Sequence, residues 1–280
     1  MHWQWPVGAG LAFLLALVTT PAGVSGAVLL LPLQLSVLRV PSPSVTPTNL
    51  LFNVAATPGG LLRFAREERL RGPLTRVLVA GTLPGVIVGA ILRVELLSGG
   101  RAFEVIVAFV LLPLGLWLIL GAQTASRARP EPADGARRAT WLFALGVGTI
   151  GGIYGIGGGS VLAPILIAFG YSVYEVAPAT LAATFLTSLV GIVTYQVLQL
   201  LHQGPISPQW VLGFCLGAGG FAGSYCGARL QRRLPERSLR RLLGVVACLV
   251  AARYLQTGFL GDGGPAKTRT SLGSTLSPTS

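Results

Sequence analysis

The hydrophobic residues of this chain are gathered into long blocks, and short intervening stretches hold nearly all the charge. Val7 to Leu38, Thr140 to Tyr174 and Val176 to Ala228 contain no Asp, Glu, Lys or Arg. A helix needs about 20 apolar residues to cross a bilayer, so each block holds at least one crossing. Read against its breaks, the pattern predicts eight segments, at 7–33, 45–62, 76–92, 103–121, 140–169, 176–200, 209–228 and 239–257. The short alternating segments of a transmembrane β-barrel are not seen. The predicted fold class is therefore all-α: a polytopic membrane protein of about eight membrane segments. Residues 122–139, with Pro130, Pro132 and four arginines, read as an arginine-rich cytoplasmic linker. It separates a first membrane repeat at 7–121 from a second at 140–257. Residues 258–280, rich in Gly, Ser, Thr and Pro, read as a disordered tail.

The two parts align with each other. Gly23-Val-Ser-Gly-Ala-Val-Leu-Leu-Leu-Pro32 lies over Gly155-Ile-Gly-Gly-Gly-Ser-Val-Leu-Ala-Pro164. After a one-residue slip Pro47, Asn53, Thr57, Gly60 and Phe64 meet Pro178, Thr184, Ser188, Gly191 and Tyr195. Further on, Gly81, Gly85 and Gly89 meet Gly219, Gly223 and Gly227. Repeats of this kind mark secondary transporters. Segments 1 and 5 are close to thirty residues long and carry glycine clusters midway. Either they cross as broken helices or they dip in and return as re-entrant hairpins. Eight full crossings would divide the loop arginines and lysines twelve against nine, whereas two re-entrant hairpins divide them fifteen against six. The positive-inside rule favours the second arrangement, which also makes the two repeats inverted.

Composition sharpens the class. Of 280 residues 52% are hydrophobic and 11% charged, against about 25% charged in a soluble domain. Mean hydropathy is +0.69. That excludes an ordinary soluble enzyme. The net charge of +12 falls in loops and at segment ends, so no basic face exists for nucleic acid, and no nucleic-acid partner is expected. Cys215, Cys226 and Cys248 lie in apolar segments without a neighbouring His, which leaves neither a metal site nor a cofactor to propose. Trp3 and Trp5 suit a headgroup-level anchor, and the absence of a basic n-region predicts that the first segment is retained.

Candidate chemistry centres on the breaks. A helix interrupted at membrane depth leaves backbone groups in need of partners, and the half-helix that restarts turns a positive N-terminus toward the gap. Gly23, Ser25 and Gly26 in one repeat, with Gly157, Gly158, Gly159 and Ser160 in the other, are candidate substrate-binding donors. Asn49 and Asn53, and Thr180 and Thr184, are each spaced i, i+4 and share a helix face; they are expected to line the cavity. Pro32 and Pro164 are expected to kink the second half-helices. The Gly81/85/89 and Gly219/223/227 rows read as packing seams. No catalytic residue is assigned.

The motif Gly155-Ile-Gly-Gly-Gly-Ser-Val-Leu-Ala-Pro164 resembles the signature of the sulfite exporter TauE/SafE family. Gly23 to Pro32, followed by Pro47-Thr-Asn-Leu-Leu-Phe-Asn53, resembles its first-half counterpart, with Val24-Ser25 in place of Ile156-Gly157. The resemblance covers about residues 7 to 257. It implies a permease, commonly an exporter, for sulfite, organosulfonates or related small anions.

Rival readings come from other motifs. Gly23-Val24-Ser25-Gly26 fits the nucleophile pattern of intramembrane serine proteases, but His2 and His202 both stand far from mid-membrane positions. Gly146-Val-Gly-Thr-Ile-Gly151 is a literal G-x-G-x-x-G inside a charge-free run, without the strand and acidic residue that dinucleotide binding requires. A non-transporting membrane scaffold is a third class, which predicts that polar substitutions near the breaks leave function intact. The expected surroundings are a small anionic substrate and the lipid bilayer of the cell membrane, with self-association into a homo-oligomer left open.

Overall fold

The computed structural model describes residues 4–36, 38, 40–67, 69, 70, 72–95, 109, 112, 113, 115, 116, 119, 120, 134–201 and 206–260. Predicted segment 103–121 and residues 122–133 of the linker thus lie largely outside the described residues, as does the tail from 261 on. Among the described residues there is no strand. The helices are α1 (Gln4–Thr19), α2 (Ala27–Ser36), α3 (Ser42–Ala65), α4 (Pro73–Glu95), α5 (Asp134–Tyr154), α6 (Gly158–Ala168), α7 (Val173–Leu201), α8 (Trp210–Gln231) and α9 (Glu236–Leu260). Among the described residues four spans are long and apolar enough to cross a membrane: Trp5–Ala22, Pro73–Glu95, Val173–Leu201 and Trp210–Gln231. Val7, Leu11, Leu14 and Val18 form an exposed apolar stripe on α1, while Ala12 and Ala16 of the opposite side are buried. A helix apolar on both faces belongs in lipid. The chain is a multi-pass membrane protein.

Each long segment of the sequence becomes two helices. Segment 1 divides into α1 and α2, joined by the 3-10 turn Thr20–Ala22 and residues 23–26; segment 5 divides into α5 and α6 at residues 155–157. Gly23 at φ +78° and Gly157 at φ +73° hold the two turns in the left-handed region, which side-chain-bearing residues rarely adopt. The chain doubles back at both places. A Cβ on Gly26 would stand 3.2 Å from the Ala16 nitrogen, and one on Gly158 would stand 3.2 Å from Gly148 Cα. Ten residues in one direct line would instead separate such pairs by about 15 Å.

Relative helix directions follow from the packing. Along the α1–α8 seam Gly219, Gly223 and Gly227 press on Ala9, Phe13 and Leu17 in rising order, so the two helices are parallel. On the α4–α5 seam Gly81, Gly85 and Gly89 press on Trp141, Leu145 and Thr149 in the same way. Gly213, Gly217 and Gly220 rise with Leu51, Ala55 and Ala56, making α3 parallel to α8 and hence to α1. The pair α3 and α7 is antiparallel, because Gly60 meets Leu181 while Gly191 meets Leu50. These contacts stand at repeat-equivalent positions. So do two buried clusters, Phe64 with Leu181 and Ala228, and Tyr195 with Leu50 and Ala90.

Both glycine seams join opposite repeats. Helix α4 packs on α5 and α8 on α1, so the sequence halves are interlaced and neither is a separate body. With lipid as apolar as the side chains, close backbone approach supplies the attraction that exclusion from water supplies elsewhere. An added Cβ on Gly81 would stand 2.6 Å from the Ala144 Cβ, and one on Gly227 would stand 2.7 Å from the Leu17 carbonyl oxygen. Larger residues in these rows push the seams apart.

Candidate functional site

The two breaks meet. Ser25 N–H donates to Ser160 Oγ at 3.1 Å, linking residues 135 positions apart. Asn53, on α3, ties both breaks at once: its Oδ1 accepts from the Ser25 hydroxyl, and its Nδ2 donates to the Gly155 carbonyl at 3.4 Å. Ser25 Oγ in turn accepts from Ala27 N–H at 3.2 Å, which satisfies one of the donors left open at the start of α2. Thr180, on α7, shares its hydroxyl proton between the Val176 carbonyl of its own helix at 2.8 Å and the Gly23 carbonyl across the repeats at 2.9 Å. The first break is thus held by a helix of the second repeat. The second leans on a helix of the first, since Gly155 packs on the Thr46 backbone.

Several residues in the assembly are structural staples. Asn49 donates to the Ala27 carbonyl at 3.1 Å and accepts from Gln34 Nε2 at 3.1 Å, so both ends of its amide are engaged. Thr57 bonds back to the Asn53 carbonyl at 2.7 Å. Gly159 has its Cα pressed on α7, where a Cβ would lie 2.6 Å from Thr184 Oγ1. Gly158 faces Thr82 of α4, 3.0 Å from where its Cβ would be. Pro164 lies inside α6 and Pro32 inside α2, each well past its break; the interruptions themselves fall at the glycines.

Two hydroxyls stand apart. Thr184 Oγ1 and Ser188 Oγ are buried, carry no hydrogen-bond partner, and sit one turn apart on α7. A buried hydroxyl left unsatisfied costs about 1–3 kcal/mol. Thr184 lies against the Gly157–Gly159 turn, 2.6 Å from the place a Gly157 Cβ would take. The first-turn N–H groups of α6, at Gly158 and Gly159, have no acceptor within their own helix. The N-terminus of α6 and the unpartnered Thr184 hydroxyl therefore meet at the second break, with Ser188 one turn further along α7 and no charged side chain among them. Such a set can hold a small oxyanion through dipoles and neutral donors. Beside the first break Thr20, Ser25, Phe52, Thr57, Leu181 and Ser224 pack around a gap too narrow to hold a water molecule.

The sequence-predicted residues Gly23, Ser25, Gly26, Asn49, Asn53, Gly157, Gly158, Gly159, Ser160, Thr180 and Thr184 all fall in or beside this cluster. The structure brings Ser25, Asn53, Ser160 and Thr180 into direct contact across the repeats. Asn49 bonds instead within its own repeat. Gln34 was not anticipated: it is fully buried, and its Oε1 has no partner. Its only sequence signal was being a lone amide in an apolar run. The nucleophile pattern around Ser25 gains no base here, as its hydroxyl donates to an amide oxygen; His2 and His202 lie outside the described residues.

Comparison with known proteins agrees with this architecture. Over 259 residues the chain is 24% identical to the Probable membrane transporter protein YunE of Bacillus subtilis (strain 168), covering 84% of this chain and 92% of that protein. No solved structure matches. Residues 8–254 match the family described as Sulfite exporter TauE/SafE, a stretch that takes in both breaks, both seams and the polar cluster between them, and the chain belongs to that family of membrane transporters.

Proposed function

We propose that the chain is a secondary transporter that carries small anions, of the sulfite, organosulfonate or related carboxylate class, outward across the cell membrane. The observation that carries the reading is the meeting of two interrupted helices over hydroxyls that the fold itself leaves unused. Helix α2 has ten residues and α6 eleven, lengths of about 15 Å. That is half of a hydrocarbon core of about 30 Å, so a half-helix of this length starts at mid-depth. The parallel course of α1 and α3 supports re-entrant hairpins, since a straight crossing through α1 and α2 would send α3 back the other way. The antiparallel α3–α7 pair and the repeat-equivalent contacts support two inverted repeats.

The binding roles follow from this placement. Ser160, Thr184 and the N–H groups of Gly158 and Gly159 would hold the anion; Asn53 and Ser25 would position the opposing break. An inside-negative potential of 100 mV favours outward movement of one negative charge by about 2.3 kcal/mol, and no nucleotide motif is required. The moving bodies are not the sequence halves, because the seams interlace them. Helices α1, α3 and α8 form one parallel group and α4 with α5 another, and α7 packs on both α3 and α4.

The test is a liposome flux screen of sulfite, sulfonates, sulfate and carboxylates with wild type and Gly158→Leu. Flux of at least one anion in wild type, lost in the variant, is expected. Equal flux in both for every anion removes the break from the mechanism, and a scaffold role predicts no flux in either.

A further inference from the structure

Away from the breaks, one cluster of charge is built into the protein rather than scattered over its surface. Glu67, just past α3, has a side chain only 10% exposed and is approached by three guanidinium groups. Arg63 Nη2 lies 2.9 Å from Oε1, Arg232 Nη1 lies 3.6 Å from the same oxygen, and Arg69 Nη1 lies 3.3 Å from Oε2. These come from α3, from the turn after it, and from the C-terminal end of α8. Oε1 is buried yet receives no aligned hydrogen bond, so charge alone holds it. Arg63 Nε is likewise buried and without an acceptor. Among the described residues, three guanidinium groups thus surround one carboxylate, whose Oε2 accepts a hydrogen bond from Arg69 Nη1 at 3.3 Å while Oε1 and Arg63 Nε keep unused hydrogen-bonding capacity.

The cluster also connects to the first break. Arg69 donates to Gln231 Oε1 at 2.9 Å and to the Tyr174 carbonyl, and stacks over Phe64 with its carbon 5.1 Å from the ring centre. Gln231, fully buried, donates to the Pro21 carbonyl at 2.7 Å, two residues before Gly23. A change at Arg69 is therefore one side chain away from the turn that shapes the break. At the repeat-equivalent positions of Glu67 and Arg69 the second half has Leu198 and Leu200, so this device belongs to one side of the protein only.

We propose that Arg63, Arg69 and Arg232 form an oxyanion docking site on the approach to the break, with the Glu67 carboxylate as its tethered occupant. An arriving sulfite or sulfonate displaces Glu67, and release of Arg69 is passed through Gln231 to the Pro21 turn. The proposal rests on the anion-carrier reading above, but its readout does not.

Sulfite binding to the full chain in lipid nanodiscs is measured by calorimetry at low and high KCl. Glu67→Gln keeps the shape and removes the competing charge, and is expected to tighten binding by about threefold. Arg232→Gln, at a side chain 62% exposed, is expected to weaken it by a similar factor. Both effects should shrink in high salt, where partly exposed charges are screened. Binding in Glu67→Gln that is unchanged or weaker, in protein with wild-type melting temperature, overturns the docking site. If that variant does not fold, unchanged binding in Arg232→Gln overturns it instead. Tighter binding in Glu67→Gln without flux of any anion would uphold the docking site and overturn only the carrier reading.

Discussion

Replacing Thr184 by valine removes a single hydroxyl and preserves the shape of the side chain. In the folded protein that hydroxyl is buried without a partner against the Gly157–Gly159 turn. An unsatisfied buried hydroxyl costs about 1–3 kcal/mol, so Thr184→Val should be as stable as wild type or more stable by about 1 kcal/mol. A hydrogen bond to a charged ligand contributes about 1.5–3 kcal/mol. At about 1.4 kcal/mol per tenfold, its loss should raise the half-saturating anion concentration by about tenfold to a hundredfold. Thr180→Val is the matched control, because Thr180 bonds to the Gly23 carbonyl across the repeats. It should lower the melting temperature, with a cost of about 1 kcal/mol. The assay pairs thermal unfolding in detergent with flux into liposomes for both variants. A Thr184→Val protein that loses stability and keeps full flux would refute the reasoning, since the hydroxyl would then be serving the fold.

Asn53→Asp keeps an acceptor for Ser25 but loses the donor to Gly155 and places a carboxylate beside the proposed anion. Flux should fall to background while the protein still inserts and purifies, as checked by liposome assay and gel filtration. Gly157→Ala puts a Cβ at φ +73° and 2.6 Å from Thr184 Cγ2; a cost of about 1–3 kcal/mol should appear as a lower melting temperature. Gly81→Leu should separate α4 from α5 and reduce the yield of folded protein, whereas Gly146→Leu, where an added Cβ meets nothing within 4 Å, should not.

Much of this fold was legible because the bilayer makes local composition decisive. Charge-free blocks gave the helices, and the glycine clusters at 23–26 and 155–159 gave the interruptions, since glycine is where the backbone can take positive φ. The seams were legible as small-residue rows, but their partners were not. Spacing shows that Gly219, Gly223 and Gly227 share a face, yet nothing local says that the face meets α1 rather than a helix of its own repeat. The same limit hid the roles of the polar residues. Asn49 and Asn53 look alike in sequence, but one closes on Ala27 and Gln34 within its repeat, and the other bridges both breaks. The charged cluster at Glu67 joins residues from positions 63 to 232, a distance in sequence that no periodicity reports.

The central claim is that an anion lies between the two breaks. It is tested most directly by solving the structure of the protein with selenite in place of sulfite and locating selenium by anomalous scattering. The account predicts a peak within hydrogen-bonding reach of Ser160 and Thr184, reduced or absent in Thr184→Val. A protein that transports selenite in liposomes yet shows its peak elsewhere in the membrane region, with the breaks unoccupied, would contradict it.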